Sequence, residues 1–232
     1  EPPDILLLLG DRGEMLAGAI AATHLKIPIV HIHGGERSGT IDERVRHAIS
    51  KLAHYHCVAT RQSRKRLIKM GERPDRIFVT GAPGLDDMIA AKRAAAETLK
   101  HLPFSPEQPF GIFLLHPEAE AFDQEFIRRL IDPILAEGLI IVAIGPNSDE
   151  GHEKIRAVLE EYRSRSNFYY FEHIPRITFI GLMSKARVMI GNSSSGIIEA
   201  ATFSLPVINI GTRQHYRERG TNVVDCLYDL SH

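Results

Sequence analysis

The chain has 232 residues, of which 44% are apolar and 25% charged, with a formal net charge of −1 at pH 7. This is the composition of a soluble globular protein with room for one large domain or two small ones. So balanced a charge gives no field to attract nucleic acid or an anionic membrane surface, and apolar runs such as Ile5 to Leu9 are far too short to cross a bilayer. Cys57 and Cys226 lie far apart in sequence, as buried thiols in a reducing compartment would, so a cytoplasmic protein is expected. The chain opens Glu1-Pro2-Pro3 and enters a strand almost at once, as a piece of a longer polypeptide would.

Strands and helices alternate from the start. Ile5–Leu9 is an all-apolar strand of the kind that a parallel sheet covers on both faces. Gly10-Asp11-Arg12 ends it, and Met15–Leu25 reads as helix. Ile29–Ile32 is the next strand. The helix after it runs from Ile41 to about Ala53, where Ile41, Val45, Ala48, Ile49 and Leu52 keep the helical period. Thr40, with Glu43 three residues on, fits a capping box at its start. His56–Ala59, Ser63–Met70 and Ile77–Thr80 continue as strand, helix and strand before Gly81-Ala82-Pro83-Gly84 interrupts the pattern. A charged, alanine-rich helix from about Asp86 to Lys100 follows.

The segment Leu102 to Pro109 holds three prolines within seven residues and is expected to be a linker. Beyond it, strands are expected at Ile112–Leu115, Ile140–Ile144, Phe168–Phe171, Val188–Ile190 and Val207–Ile210. Helices fall between them at about Ala121–Glu137, Glu150–Ser164, Thr178–Ser184 and Ser195–Thr202. Two βαβ runs either side of a linker predict an α/β protein of two parallel-sheet domains, residues 1–100 and 110–232, joined by residues 101–109.

Loops at the carboxyl ends of parallel strands are where such sheets bind ligands, and the polar residues of this chain gather there. His31-Ile32-His33-Gly34-Gly35-Glu36 follows the second strand, with Asp42, Arg46 and His47 on the helix behind it. His31 and His33, two apart, are expected on one side of the strand. With Glu36, Asp42 and His47 they are enough ligands for a divalent metal, although no third ligand stands at a diagnostic spacing. Asp42 and Arg46, at i and i+4, read on their own as a surface ion pair near a helix start. Asp11 and Arg12 offer a base and a phosphate clamp, or simply a helix cap and a surface arginine.

In the second half, His116-Pro117 and Gly145-Pro146-Asn147 each close a strand. Gly191-Asn192-Ser193-Ser194-Ser195-Gly196 leads from an apolar strand into a helix carrying Glu199. Small hydroxyl residues at a helix start make either an anion site or an ordinary serine cap. Gly211-Thr212-Arg213-Gln214 ends the next strand, with Arg217 and Arg219 beyond it. Serines and arginines on adjacent strand ends favour a phosphate-bearing ligand.

Taken in order, several blocks resemble the hydrolysing UDP-N-acetylglucosamine 2-epimerases of the sialic-acid pathway. They are Gly10-Asp11-Arg12, His31 to Glu36, Gly39 to Glu43 with Arg46-His47-Ala48-Ile49, and Gly81 to Asp86. In the second half they are His116-Pro117, Gly191 to Gly196, and Gly211 to Gln214 with Asn222-Val223. The non-hydrolysing epimerases favour Glu-Ala-Gly after the second strand and Ser-Gly-Gly in the anion loop, and this chain has neither. The resemblance implies two Rossmann-like domains facing each other across a cleft, the glycosyltransferase-B arrangement. By that comparison the chain is truncated at both ends, lacking the first strands of the amino-terminal domain and the terminal helices.

The resemblance also implies a reaction, in which UDP-N-acetylglucosamine becomes N-acetylmannosamine and UDP. UDP leaves C1 as a base takes the C2 proton, and water adds to the resulting glycal. The catalytic residues so implied are Asp11 or Asp42 as base, His31 and His33 around the sugar, Arg46 orienting Asp42, and His116 at the leaving phosphate. Substrate contacts are implied at Arg12, Glu36, Asn147, Ser193, Ser194, Ser195, Gly196, Glu199, Arg213 and Arg217, with the serine turn and Arg213 on the diphosphate. No cofactor or metal is implied. The expected partners are the nucleotide sugar and UDP, bound by a homo-oligomer, with no nucleic acid or membrane. Three other readings stay open: an epimerase for another nucleotide or modified aminosugar, as in legionaminic-acid synthesis; a metal-dependent hydrolase using His31, His33 and Asp42; and a nucleotide-sugar binding module without catalysis.

Overall fold

A computed structural model of the chain describes residues 2–39, 41–118 and 122–228. The chain forms two compact units, Glu1–Asp86 with His215–Arg217, and Asp87–Gln214 with Glu218–His232. Both are Rossmann-like, with parallel strands and connecting helices.

The first unit contains β1 (Leu6–Leu9), α1 (Gly13–His24), β2 (Ile29–Ile32), α2 (Ile41–Leu52), β3 (Tyr55–Val58), α3 (Arg61–Lys69) and β4 (Ile77–Val79). Its strands lie parallel in the sequential order β1-β2-β3-β4. Leu8 and Ile29 pack against Ala19 and Ala22 of α1 and Ile49 of α2, while Val58, Leu67 and Ile77 form a second cluster. Only the Leu6 and Leu8 side of β1 is covered among the described residues. Leu7 is 62% and Leu9 56% exposed, so the expectation of a strand buried on both faces is not met. Thr40, the expected cap of α2, lies outside the described residues. Glu43 nevertheless reaches back from α2 and accepts the N–H groups of Ser38 at 3.0 Å and Gly39 at 2.9 Å, which satisfies donors ahead of the helix as the acidic half of a capping box does.

The second unit contains α4 (Met88–Leu99), β5 (Phe110–Leu114), α5 (Gln124–Ala136), β6 (Ile140–Ile144), α6 (His152–Glu161), β7 (Phe168–Phe171), α7 (Arg176–Met183), β8 (Val188–Gly191), α8 (Ser194–Ile198), β9 (Val207–Ile210) and β10 (Val223–Cys226). Ala121, where α5 was expected to begin, lies outside the described residues. The helix starts at Gln124, after Asp123 accepts the Phe126 N–H at 2.7 Å. The division between units falls after Asp86, so α4 and the proline-rich segment belong with the second unit rather than ending the first and linking the two. The prolines do stop α4, but Phe104 is buried and its ring lies 5.5 Å from Phe110 and 4.8 Å from Tyr169. That apolar anchor fastens the segment to the sheet.

The six parallel strands of this unit run β10-β9-β8-β5-β6-β7. From β5 the chain moves outward through β6 and β7, then returns to β8 on the other side of β5. Strand order thus reverses between β5 and β8, and at such a switch point the carboxyl ends of the strands frame a ligand crevice. Gly191 lets the two ends approach. Its φ is +142°, and a Cβ there would sit 1.9 Å from the carbonyl oxygen of Leu114. Cys57 and Cys226 are free and half-buried rather than fully buried. Among the described residues, no helix is long and apolar enough to cross a membrane.

Candidate functional site

In the first unit the polar residues converge where β1 and β2 end. β2 stops at Ile32, and His33 takes a left-handed backbone with φ +65°. The alternation of a strand therefore does not carry His33 to the side of His31, as the sequence suggested. His31 is fully buried. Its Nε2 lies 2.8 Å from the carbonyl oxygen of Gly10, which can only accept, so Nε2 carries the proton and Nδ1 accepts from the Ser50 hydroxyl at 3.0 Å. Burial lowers its pKa to about 4, against the opposing pull of the Gly10 hydrogen bond. A neutral imidazole with both nitrogens engaged ties β2 to the end of β1 and to Ser50 of α2. The metal reading loses a ligand by the same geometry, and among the described residues no three His, Cys, Asp or Glu side chains converge as a ligand set.

Asp11 does not cap α1, because Arg12 occupies that position. Its carboxylate instead pairs with Arg46, which is 2% exposed and also donates to the Glu36 carbonyl oxygen at 3.0 Å. Arg46 thereby joins the end of β1 to the loop after β2. His33 Nδ1 lies 2.7 Å from one Glu36 carboxylate oxygen, and Arg217 donates to the other at 2.8 Å. Burial alone would raise the Glu36 carboxyl. The His33 hydrogen bond and the charges of Arg217 and Arg46 outweigh that and hold it below the ordinary carboxylate range. Asp42 stands close enough for its charge to act on Arg217. Asp11, Arg46, Glu36, His33 and Arg217 thus form one network with Asp42 beside it. Arg12 stays outside, its side chain 78% exposed and 3.5 Å from Glu14.

In the second unit the site forms at the switch point. Asn192, fully buried after β8, pairs with the main chain of His116 after β5. Its Oδ1 accepts the His116 N–H at 2.7 Å and its Nδ2 donates to the His116 carbonyl at 2.9 Å. The Asn147 N–H, after β6, donates to His116 Nδ1 at 3.1 Å. Nδ1 is therefore the acceptor, and Nε2 bears the proton of the neutral ring. Burial first and the Arg213 charge second lower the His116 pKa to about 4. Ser193 caps α8 by accepting the Ser195 N–H at 3.3 Å.

A cavity of about 450 Å³ opens here, lined by His116, Asn147, Ser193, Ser195 and Glu199 together with Glu172, His173 and Arg176. Arg176 pairs with Glu199 at 2.7 Å. Arg213 donates to the Pro117 carbonyl at 3.0 Å and to Asp149 at 3.1 Å, next to His116. Ser194 is half-buried in the first turn of α8, and Gly196 is buried against Val207. The neutral N–H of His116, two serine hydroxyls and the Arg176 guanidinium face this crevice beside the carboxylates of Glu172 and Glu199. With Arg213 next to His116, the His116 and serine end suits an anionic group.

Glu172, His173 and Arg176 were not foreseen. They follow β7, so the carboxyl-end rule applied to the other strands points to them as well. Asn192 stood in a recognised block, but only its geometry reveals that it clamps His116.

Compared with known proteins, residues 1–231 match the family model described as UDP-N-acetylglucosamine 2-epimerase. The chain is 50% identical, over 97% of its length, to the UDP-N,N'-diacetylbacillosamine 2-epimerase (hydrolyzing) of Legionella pneumophila, covering 60% of that protein. It is 38% identical, over 98% of its length, to the UDP-N-acetylglucosamine 2-epimerase of Neisseria meningitidis, again covering 60%. The chain thus spans about 60% of the length of these curated relatives. Its fold is shared with the crystal structure of the UDP-GlcNAc 2-epimerase from Neisseria meningitidis bound to UDP-GlcNAc, at a TM-score of 0.75, 20% identity, 89% of this chain and 59% of that one. The enzyme of Methanocaldococcus jannaschii in complex with UDP-GlcNAc and UDP gives the same TM-score of 0.75, at 21% identity, with 89% and 60% of the two chains covered.

Proposed function

Because this chain belongs to the UDP-N-acetylglucosamine 2-epimerase family, we propose that the protein it comes from is a hydrolysing 2-epimerase that releases UDP and a C2-inverted free sugar from a UDP-activated 2-acetamido sugar. The carrying observation is His116, held by Asn192 and Asn147 with its protonated Nε2 left for a ligand, beside Ser193 and Ser195 at the switch point. A neutral donor with hydroxyl groups and Arg213 nearby suits a diphosphate that gains charge as it leaves C1. In the first unit, Asp42 is assigned the C2 proton. Asp42, in the first turn of α2 with its charge reaching Arg217, is preferred as base to Asp11, whose carboxylate is the ion-pair partner of the buried Arg46. His33, Glu36 and Arg217 are assigned to hold the sugar.

Removing a weakly acidic C2 proton needs a positioned base, and the departing diphosphate needs donors already in place. Breaking the C2–H and C1–O bonds gives UDP and a 2-acetamido glycal. Water then adds at C1 while a proton returns to the opposite face of C2. UDP-N-acetylglucosamine would give N-acetylmannosamine by this route. The 50% identity to the Legionella protein, against 38% to the Neisseria one, favours a 2,4-diacetamido sugar as the better substrate.

Incubating the full-length protein in deuterated water with each UDP-sugar, and following the products by NMR, tests both points. UDP release with deuterium at C2 of the inverted free sugar is expected, faster with UDP-N,N'-diacetylbacillosamine. Release of sugar with unchanged C2 configuration overturns the epimerase reading. UDP binding without any sugar release would favour a binding module instead.

A further inference from the structure

Glu118 belongs to none of the groups assigned above, yet its carboxylate gathers donors from three distant places in the chain, Asn192, Thr212 and Tyr228. One oxygen accepts the Thr212 N–H at 2.9 Å, the Thr212 hydroxyl, and the Tyr228 hydroxyl at 2.6 Å. The Thr212 and Tyr228 hydroxyl oxygens lie 3.2 Å apart. The other carboxylate oxygen lies against Gly211, where φ is +75° and an added Cβ would come within 2.7 Å of it. The Tyr228 ring rests on the apolar core, 5.8 Å from Phe122 and 6.4 Å from Phe126. That second carboxylate oxygen also lies 3.5 Å from the Asn192 side-chain amide, so Thr212, Tyr228 and, more distantly, Asn192 all donate to Glu118, the arrangement of a clamp.

What the clamp holds is the residue before Arg213. Thr212 is fixed by its main chain and its side chain together, and the guanidinium of Arg213 then folds onto the carbonyl of Pro117, the neighbour of Glu118, at 3.0 Å. Residues 116–118 and 211–213 are thereby joined in both directions, Glu118 to Thr212 and Arg213 to Pro117. The charge of Arg213 is left close enough to His116 to help keep that ring neutral. A long flexible cation contributes to binding only if it is already in place when the ligand arrives.

We propose that Glu118 is a positioning residue for the phosphate-facing cation, acting by holding Thr212 so that Arg213 stands beside His116. The proposal rests on the reading of Arg213 as a diphosphate contact. Its prediction is selective: loss of Glu118 weakens ligands that carry phosphate and spares those that do not.

Calorimetric titration of the full-length protein with UDP and with uridine tests it. Glu118→Ala is expected to weaken UDP about tenfold and to leave uridine unchanged. Glu118→Gln, which keeps an acceptor for Thr212, retains most of the UDP affinity. Thr212→Val, which removes one hydroxyl, gives a smaller loss and serves if Glu118→Ala does not fold. In the Arg213→Ala background, Glu118→Ala adds nothing further, because the two act through one group. Unchanged UDP affinity in Glu118→Ala, equal losses for UDP and uridine, or additive losses in the double variant overturns the positioning role. Failure of the unaltered protein to bind UDP overturns instead the functional reading on which it rests, and the positioning role with it.

Discussion

The guanidinium of Arg46, buried inside α2, donates to the carboxylate of Asp11 at the end of β1, 35 residues earlier in the chain. It also holds the Glu36 carbonyl, so one side chain fixes two of the loops on which the first unit carries its acidic groups. Removing one partner of so buried a pair leaves the other uncompensated, at a cost of about 3 kcal/mol. Arg46→Met is expected to lower the free energy of urea unfolding by about that amount. A midpoint equal to that of the unaltered chain would mean that Asp11 finds other partners and that Arg46 is not the brace.

Asp42 is assigned the C2 proton. Replacement by Asn keeps the shape and removes the base, for a loss of about 10²- to 10⁴-fold in turnover. UDP affinity, measured by calorimetry, is expected to stay within about twofold, since the diphosphate is assigned to the other unit. An equal fall in turnover and in UDP affinity would show that Asp42 holds the ligand rather than reacting with it.

Stability should fall on acidification because of His31. In the folded chain its ring stays neutral down to about pH 4, whereas in the unfolded chain it protonates near 6.5. Between those values the unfolded state binds more protons, so stability is intact above about pH 6.5 and is lost as the pH drops toward 4, by about 3 kcal/mol at most. His31→Gln, which keeps a donor and an acceptor without a titrating ring, is expected to reduce this dependence and leave the part that His116, lowered to about 4 as well, contributes over the same range. Chemical denaturation at pH 7 and pH 5 measures it, and an undiminished slope in the variant would assign the effect to other groups.

Gly191→Ala would drive a methyl group into the carbonyl of Leu114 from a backbone that side chains rarely adopt. A loss of about 3 kcal/mol is expected from steric overlap and strain combined, and with it a displaced Asn192 and weaker UDP binding. Thermal unfolding and a UDP titration check the two effects; a variant as stable as its parent would mean that the strand ends part easily.

Much of the fold was legible because parallel strands announce themselves. Ile29–Ile32, Ile140–Ile144, Phe168–Phe171 and Val207–Ile210 fall at the residues that their apolar runs marked. β10 escaped because Val223-Val224-Asp225-Cys226 is a short edge strand, with Val224 66% exposed and too little periodicity to detect. The placement of α4 with the second unit was hidden for a different reason. Proline content reports where a helix must stop, but not that Phe104 will find Phe110 and Tyr169.

At the site, residue types and loop positions were readable while partners were not. Asp42 and Arg46, four apart on one helix, suggested a local pair, yet the ion pair that emerges joins Arg46 to Asp11. His31 was readable as a residue type, but its partners Gly10 and Ser50 lie outside its own motif and could not be read from it.

The tripeptide His215–Arg217 belongs to the first unit although the residues on either side of it belong to the second. Cutting the chain once, at the obvious boundary after Asp86, would therefore take Arg217 away from Glu36. The buried carboxylate left behind would lose one of the charges that hold its pKa down. The two units are spelled in an interleaved order, so a fragment that keeps the first unit chemically whole must bring its arginine along from more than a hundred residues downstream.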